Sequence, residues 1–265
     1  MQPPVLLAAT GDRDVAAALT ATGRIDRIVA YHSSFYRQRG LPSVAGLLPW
    51  GNANEQTLAM LPGVLDGAGV TPVLATVCAN DAIVPPAAML GQLADAGVRG
   101  VVNAPTVGLL TGPVREALEA EQLGMSCEIE LIASARGMGL EGWAYVFDPD
   151  WAAAALGAGA TGLILHLGIT GHPGPTGRPP AEVVAAVAAV VAAHLGEAPL
   201  LVHGGDLGSP TAAADLLAAI DPTARWVVRG FFGASAFERH AGSGLAAVVA
   251  DWSRCFTHPI DQEHA

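Results

Sequence analysis

The chain has 265 residues, of which 51% are hydrophobic and only 14% charged, and its formal net charge at pH 7 is −11. This composition excludes a disordered chain, and the length is typical of one (β/α)8 domain with a substantial core. The acidic balance and the lack of basic runs exclude a general nucleic-acid partner. A small anionic ligand is nevertheless compatible with this charge, because a few local hydrogen-bond donors can bind an anion on a protein whose net charge is negative.

The cysteines and the apolar segments indicate a cytoplasmic protein. Cys78, Cys127 and Cys255 lie far apart in the sequence and form no CxxC pair, as is typical of a reduced compartment. The amino terminus has neither the basic region nor the long apolar region of a signal peptide. The most apolar helical segment, 180–195, is short for a bilayer span, so we expect a barrel helix and no membrane partner.

Short apolar runs alternate with helical segments along the chain, which is the pattern of a parallel sheet with crossover helices. Runs such as VLLAA and GLILH are continuously apolar, as expected for strands buried on both faces. The predicted strands are 4–10, 27–33, 72–77, 100–103, 142–147, 162–166, 200–203 and 226–232. The predicted helices are 12–22, 57–68, 86–96, 149–156, 181–195, 211–220 and a closing helix that ends near 256, and a long connection to 136 follows the fourth strand.

Eight strand–helix units without a break in composition predict a single (β/α)8 TIM barrel over residues 1–265. A doubly wound open sheet is the alternative, but the first turn, Thr10-Gly11-Asp12, lacks the GxGxxG pattern of that fold. The connections that leave the strand carboxyl ends are long and polar, whereas those that return to the next strand are short and rich in glycine. We therefore expect the functional site at the carboxyl ends of the strands.

The polar segment after the second strand is predicted to bind substrate through His32 and Arg37. A guanidinium group suits two-point binding of a carboxylate or phosphate. The alternative is an arginine that forms internal salt bridges in a solvated loop. The length of this loop and its glycine and asparagine content indicate a lid.

Two carboxylates follow the third and fourth strands. Asp81 is a candidate base or cation ligand, and the alternative is a cap of the next helix. Glu128 follows the long connection at the start of a helix, where it is a candidate for proton transfer or a group that stabilises the helix dipole. Asn103 and Thr106, at the end of the fourth strand, are predicted to bind substrate, with Asn103 a candidate to polarise a carbonyl.

Two histidines end neighbouring strands: His166 ends the sixth and His203 the seventh. They are candidates for metal ligands, acid–base groups or oxyanion donors, and the alternative is a structural role. Two small-residue turns are predicted to precede helices and to present backbone amides to a carboxylate or phosphate. If they are not such sites they are simply tight turns. Their residues are Gly204, Gly205, Gly233, Ala234 and Ser235.

Several other chemistries are excluded by the sequence. It contains no GxSxG elbow, Walker loop, HExxH or CxxC motif. The predicted strands contain no lysine, which excludes a Schiff-base aldolase.

Several segments together resemble the phosphoenolpyruvate hydrolase-like family, which is also described as predicted TIM-barrel signal-transduction proteins. They are GLLPWGNAN (46–54), VCAND (77–81), VVNAPTVGLLTGPVREALE (101–119), GMSCEIELI (124–132), YVFDPDWAAAALGAGATGLILHLGIT (145–170), LLVHGGDLGSP (201–210) and GFFGASAFER (230–239). The resemblance implies a (β/α)8 barrel in the wider neighbourhood of phosphoenolpyruvate mutase and isocitrate lyase. Those enzymes make or break C–C or P–C bonds beside an α-keto or enolate group, usually with Mg²⁺ held by several acids. Asp81 has no acidic neighbour, so the cofactor is left open, with a divalent metal such as Mg²⁺ as the option.

Together these observations predict a lyase or hydrolase that cleaves or forms a C–C, P–C or ester bond beside a carbonyl or enolate. Its partner is a small anionic or carbonyl substrate, and its predicted catalytic residues are Asp81, Glu128, His166 and His203. One alternative is a non-catalytic regulatory barrel that binds a small anion. Another is a metal-dependent hydrolase that uses the two histidines and an acid. The apolar helix faces favour a homo-oligomer.

Overall fold

The computed structural model describes residues 3–48, 50–169, 171–194 and 196–257. Eight parallel strands form a closed barrel in which each strand pairs with the next and the eighth pairs with the first. The predicted (β/α)8 TIM barrel is confirmed. The strands are β1 (Val5–Thr10), β2 (Arg27–Ala30), β3 (Val73–Val77), β4 (Gly100–Asn103), β5 (Glu141–Val146), β6 (Gly162–His166), β7 (Leu200–His203) and β8 (Val228–Gly233).

The helices begin where the sequence supplies caps. Asp12, Asn52, Asp148 and Ser209 each accept a hydrogen bond from a first-turn amide, and several helices have proline in the first turn. The helices are α1 (Arg13–Ala21), α2 (Ser34–Arg37), α3 (Ala53–Ala68), α4 (Pro86–Asp95), α5 (Gly112–Ala120), α6 (Met125–Gly137), α7 (Pro149–Gly157), α8 (Pro180–Ala193), α9 (Pro210–Ala218), α10 (Pro222–Val227), α11 (Ser235–Glu238) and α12 (Leu245–Cys255). Short 3-10 helices cover Ser43–Leu47 and Val107–Leu109.

Some predicted boundaries differ from the structure, and one lies outside the described residues. The second strand ends at Ala30 and not at residue 33, because residues 31–33 turn into α2. The helix predicted over 57–68 already begins at Ala53, since Asn52 caps it. The strand predicted over 226–232 begins at Val228, because Asp221 caps α10 and this helix continues to Val227. The predicted end of the helix over 181–195 falls on Leu195, which lies outside the described residues.

The core lies on both faces of the sheet. In β8 the ring of Phe231 stacks on Trp252 of α12 at 3.6 Å between centroids, whereas Phe232 contacts Tyr145 of β5 at 5.8 Å. Consecutive residues of a strand point to opposite faces, so Phe231 joins the barrel to a helix and Phe232 fills the barrel interior. Within the described part of the chain, no helix has the length and apolar character needed to cross a bilayer.

A charged cluster closes the amino-terminal mouth of the barrel. Glu141, at the start of β5, accepts hydrogen bonds from Arg27 (3.0 and 3.1 Å), Arg99 (2.8 Å) and the indole nitrogen of Trp143 (2.9 Å). Burial raises the pKa of this carboxyl, but the hydrogen bonds from Arg27, Trp143 and Arg99 outweigh burial and hold the pKa below its ordinary value. The cluster therefore ties β2, β4 and β5 together at the end of the barrel remote from the expected site.

We expect Glu141→Gln to lower the free energy of unfolding by about 2–3 kcal/mol, because it leaves a partly buried arginine without its counter-charge. Urea denaturation at pH 7 measures the loss. The matched control is Arg99→Gln, in which the removed side chain is 63% exposed, and we expect a loss below about 1 kcal/mol. Equal losses in the two variants would contradict the role given to the buried carboxylate.

Candidate functional site

A cavity of about 870 Å³ opens at the carboxyl ends of the strands. Its walls come from the segments that follow β1, β2, β4, β6, β7 and β8, which is where the length and polarity of the connections placed the site. Its charged side chains, among the described residues, are Asp12, Arg37, Glu238 and Arg239.

His203 is a neutral imidazole with a fixed orientation. Its Nδ1 lies 2.7 Å from the carbonyl oxygen of Phe232, and since a carbonyl only accepts, Nδ1 carries the proton. Nε2 is then an acceptor. Burial lowers the pKa of His203 to about 4, a nearby Arg37 lowers it further, and the Phe232 carbonyl opposes both. His203 therefore lines the cavity as an uncharged group able to accept a proton.

His166 stands beside His203 in the opposite tautomer. The two residues are register partners of β6 and β7, and their rings lie 4.7 Å apart in an edge-to-face arrangement. The His166 Nδ1 accepts a hydrogen bond from the amide of Gly168 (3.1 Å), so its proton is on Nε2. Burial, and to a smaller extent His203, hold the pKa of His166 well below its ordinary value. The pair thus offers one ring acceptor and one ring donor.

Gly204 is required by the close approach of its backbone to His166. A Cβ on Gly204 would lie 2.7 Å from Cε1 of His166, and the φ of +74° is in the left-handed region that favours glycine. The amide of Gly205 is engaged by the carbonyl of Gly168 at 2.6 Å. These glycines therefore shape the wall of the cavity around the imidazole.

Both small-residue turns precede helices, as predicted, but at different distances and with helices of different length. After Gly205 the next helix begins only at Pro210, because Ser209 supplies its cap. After Gly233 and Ala234 the helix α11 has four residues. Ala234 and Ser235 line the cavity, whereas Gly233 lies against the ring of Phe237, where a Cβ would clash. An anion in this cavity would therefore not be held by two aligned helix amino termini.

Arg37 extends into the cavity wall with one guanidinium nitrogen unused. Its Nε forms an ion pair with Glu238, and Nη1 reaches the hydroxyls of Ser33 (3.1 Å) and Ser43 (3.3 Å). The side chain is only 7% exposed, yet Nη2 has no hydrogen-bond partner among the described residues. An unsatisfied buried donor is costly, so its position beside a cavity indicates a ligand acceptor.

His32 and Tyr145 add two more buried polar atoms to this region. The Nδ1 atom of His32 and the hydroxyl of Tyr145 make no hydrogen bond within the described chain. Burial lowers the pKa of His32 to about 4, so its ring is neutral. The ring of Tyr145 contacts both His166 (5.2 Å) and His203 (5.5 Å). Sequence reasoning missed Tyr145, although its alternation with Trp143 along β5 marks it as a residue of the barrel interior.

Glu128 lies behind the cavity and supports its wall. Its carboxylate accepts hydrogen bonds from the amide of Val107 (2.8 Å) and from the side chain of Asn103. Burial raises the pKa of Glu128 to about 7, and the bonds from Val107, Thr106 and Asn103 oppose this effect. Of these residues only Thr106 lines the cavity. The side chain of Asn103 instead bonds to the backbone of β5. Its Oδ1 accepts from the amide of Tyr145 (2.6 Å), and its Nδ2 donates to the carbonyl of Tyr145 (3.3 Å).

Asp81 does not line the cavity, and its carboxylate is hydrogen-bonded within a turn. One carboxylate oxygen accepts from the amides of Ile83 (2.7 Å) and Val84 (3.0 Å), and the other accepts from the side chain of Asn52 (2.7 Å). This turn precedes α4, whose amino-terminal cap is Pro85 without a side-chain hydrogen bond, so Asp81 is not the helix cap of the alternative. Of the predicted site residues, the structure brings together around the cavity His32, Arg37, Thr106, His166, His203, Gly204, Gly205, Ala234 and Ser235.

The residues at the cavity do not fit a magnesium site of the kind that the fold family uses. Among the described residues, no three His, Cys, Asp or Glu side chains come together as a ligand set. Asp12 accepts the first-turn amides of α1, and Glu238 is bound by Arg37 and by the hydroxyl of Ser34 (2.6 Å). Since Mg²⁺ requires free oxygen ligands in octahedral geometry, we assign no step to a metal.

The fold and the cavity define a (β/α)8 barrel with a cavity at the carboxyl ends of its strands. The chain belongs to the phosphoenolpyruvate hydrolase-like family, whose sequence profile matches residues 1–251. The resemblance seen in the sequence motifs is thereby confirmed.

Two curated relatives come from tomato, Solanum lycopersicum. The ToMV resistance protein Tm-1(GCR237) and the ToMV susceptible protein tm-1(GCR26) are each 39% identical to this chain over 243 residues. Each match covers 89% of this chain and 31% of the relative. The chain thus spans about a third of the length of these relatives.

Two similar solved structures are barrels with low sequence identity. The phosphoenolpyruvate phosphomutase of Streptomyces platensis subsp. rosaceus is 18% identical, with a TM-score of 0.53 over 94% of this chain and 82% of that one. A phosphonopyruvate hydrolase in complex with oxalate and Mg²⁺ is also 18% identical, with a TM-score of 0.55 over 95% and 82%. At this identity the likeness shows a shared fold.

The raised pKa of Glu128 predicts a pH dependence of stability. Between its ordinary pKa of 4.5 and about 7, the folded protein holds a proton at Glu128 that the unfolded chain releases, so this contribution to stability is lost as pH rises. In Glu128→Gln this group no longer titrates, so its contribution to the free energy of unfolding does not change with pH. The hydrogen bonds that the variant loses lower the free energy of unfolding by the same amount at every pH. We expect the stability of the variant relative to the native chain to rise by about 3 kcal/mol from pH 4.5 to 8.

Chemical denaturation at a series of pH values measures this difference. The matched control is Glu130→Gln, which changes an exposed carboxylate two residues along α6. The control profile should run parallel to that of the native chain. A Glu128→Gln profile that is also parallel would show that the carboxyl of Glu128 does not titrate differently in the two states.

Proposed function

We propose that the chain is an enzyme of the lyase or hydrolase type that acts beside the carbonyl group of a small keto-acid or acyl substrate. The observation that carries the proposal is the presence, in one cavity wall, of a neutral His203 whose acceptor nitrogen is Nε2 and of an Arg37 whose buried Nη2 has no partner among the described residues. Such a pair combines a proton acceptor with a group that binds a carboxylate.

Arg37 holds the carboxylate of the substrate in this proposal. Glu238, Ser33 and Ser43 occupy Nε and Nη1, which fixes the guanidinium and leaves Nη2 for the ligand. The substrate is then placed by a donor that is already ordered, so little side-chain entropy is lost on binding.

His203 accepts the proton. The step common to lyase and hydrolase chemistry at such a substrate is removal of a proton from a hydroxyl group, which belongs to the substrate in a lyase and to water in a hydrolase. The proton moves to Nε2, and the carbonyl of Phe232 stabilises the resulting imidazolium through Nδ1. As the C–C bond of a lyase substrate breaks, or as the water oxygen bonds to the carbonyl carbon of a hydrolase substrate, negative charge builds on the carbonyl oxygen, which His166 stabilises with its Nε2–H. The imidazolium of His203 then returns the proton to the enolate carbon or to the leaving group.

Thr106 completes the site as a group that positions the substrate, and Tyr145, which lies outside the cavity wall, packs against the rings of His166 and His203. Thr106 is held from behind by Glu128, which is therefore a positioning residue in this proposal rather than the base. The expectations that the protein is cytoplasmic and homo-oligomeric stay predictions.

A non-catalytic barrel that binds a small anion is the second candidate. It uses the same Arg37 contact and needs no proton acceptor. The observation in its favour is that both carboxylates of the described cavity wall, Asp12 and Glu238, are already engaged by the protein. The same observation counts against the metal-dependent hydrolase. Turnover of a keto acid separates the enzyme from the binding barrel.

We expect Arg37→Lys to weaken the binding of pyruvate and oxalate at least about tenfold, because lysine keeps a positive charge for Glu238 but lacks the second nitrogen. Titration followed by ligand NMR gives the dissociation constants. Arg39→Lys is the matched control, since Arg39 lies in the same loop, is exposed and stacks over Phe35 at 3.6 Å. Unchanged binding in Arg37→Lys would remove Arg37 from the site.

We expect His203→Asn to lower kcat by at least about 100-fold on a keto acid that the native chain turns over, with a smaller effect on KM. The asparagine amide can still donate to the carbonyl of Phe232, so the strand ends keep their contact. Product formation is followed by NMR, and His172→Asn, at an exposed histidine, is the control. A fully active His203→Asn enzyme would be incompatible with the proposed base.

A further inference from the structure

We infer that the substrate carries one carboxylate and an extended apolar acyl arm, and that it has no phosphoryl or phosphonate group. This inference rests on the proposed function and names the substrate class of the same site. It runs against the phosphorylated compounds for which the family and its structural neighbours are named. Its basis is the charge balance of the cavity and the chemistry of its walls.

The charges in the described cavity wall cancel. Arg37 and Arg239 are balanced by Asp12 and Glu238, and the three cavity histidines are buried and neutral. The chain has no lysine, so no flexible ammonium group can approach the cavity. A phosphonate together with a carboxylate brings about three negative charges, and phosphate sites supply several charge-assisted donors to hold them.

The strongest cation of the cavity is already partly neutralised. Glu238 occupies Nε of Arg37, so the guanidinium offers a single free nitrogen, Nη2. Arg239 is exposed, and its Nε donates to the carbonyl of Ser235 at 2.9 Å. One free buried donor beside an arginine–glutamate pair suits the single charge of a carboxylate, whereas a dianion would be desolvated without compensation.

Much of the remaining wall is apolar, and the cavity is too roomy for a three-carbon acid. A volume of about 870 Å³ lies in the upper part of the range of roughly 300–1,000 Å³ found for pockets that enclose drug-sized ligands. Apolar side chains from the segments after β2, β4, β6 and β7 cover this space, among them Leu41, Val44, Leu47, Leu109, Ile169 and Leu207.

Two of these side chains show where the arm leaves the protein. Leu41 and Val44 line the cavity and are nevertheless 39% and 40% exposed. Both belong to the segment after α2, the same segment that carries Arg37 at its start. A ligand bound at Arg37 with an acyl arm of six to eight carbons, roughly the scale of a drug-sized molecule, would cover these side chains and remove their apolar area from water.

Calorimetric titration with a series of probes tests the inference. The probes are pyruvate, 2-oxohexanoate, 2-oxooctanoate, phosphonopyruvate and phosphoenolpyruvate, with the native chain at pH 7.5. We expect the dissociation constant to fall about fourfold for each methylene added to the arm. The two phosphorus compounds should bind no more tightly than pyruvate. Binding of phosphonopyruvate at least tenfold tighter than pyruvate, or equal binding along the acyl series, would overturn the inference.

A pair of variants assigns the arm to the apolar wall. Val44→Asn should reduce the ratio of the dissociation constants of pyruvate and 2-oxooctanoate at least threefold. Val70→Asn is the control, because Val70 is 97% exposed and lies outside the cavity wall. A full acyl-length effect in Val44→Asn would contradict this placement of the arm.

The same titrations separate this inference from the proposed enzyme. Affinity that rises with acyl length supports the ligand class, whereas absence of turnover of both a 4-hydroxy-2-oxo acid and an ester of equal acyl length would contradict the enzyme. Turnover of phosphonopyruvate with an intact dependence on His203 supports the enzyme and overturns the ligand class.

Discussion

The closure of the barrel between β8 and β1 is the constraint on which the site depends. A Cβ at residue 230 would collide with the carbonyl oxygen of Val5, so Gly230 allows the two strands to pair. Closure brings the segment after β8 next to the segment after β2, where Glu238 reaches Arg37 and Ser34. Residues about 200 positions apart in the chain thereby orient one guanidinium. Without this closure the cavity would have no fixed cation.

Uncharged imidazoles are the second physical feature of the site. His32, His166 and His203 are all buried, and desolvation disfavours their charged forms. Hydrogen bonds to Phe232 and Gly168 then select opposite tautomers in the two neighbouring rings. A cavity with neutral rings and balanced charges presents hydrogen-bond donors and acceptors without a strong field.

Glu128 illustrates how a buried carboxyl can serve a site without entering it. Its carboxyl accepts hydrogen bonds from Asn103, Thr106 and Val107 and so fixes the segment after β4. Of these three residues only Thr106 lines the cavity. The barrel core is anchored at the opposite mouth by Glu141 with Arg27 and Arg99. The two buried carboxyls differ in pKa direction because arginines surround Glu141, whereas mainly neutral donors surround Glu128.

The sequence by itself determined the eight strand–helix units, the functional end of the barrel and the family, because hydrophobic periodicity, connection length and motifs are local properties of the chain. It also indicated His32, Arg37, His166 and His203, since polar residues at strand ends stand out against apolar runs. Only the tertiary structure decided that Asp81 serves a turn, that Glu128 lies behind the wall and that Tyr145 and Glu238 belong near the cavity. Those assignments depend on contacts between segments far apart in the chain, whose direction and burial no local pattern encodes.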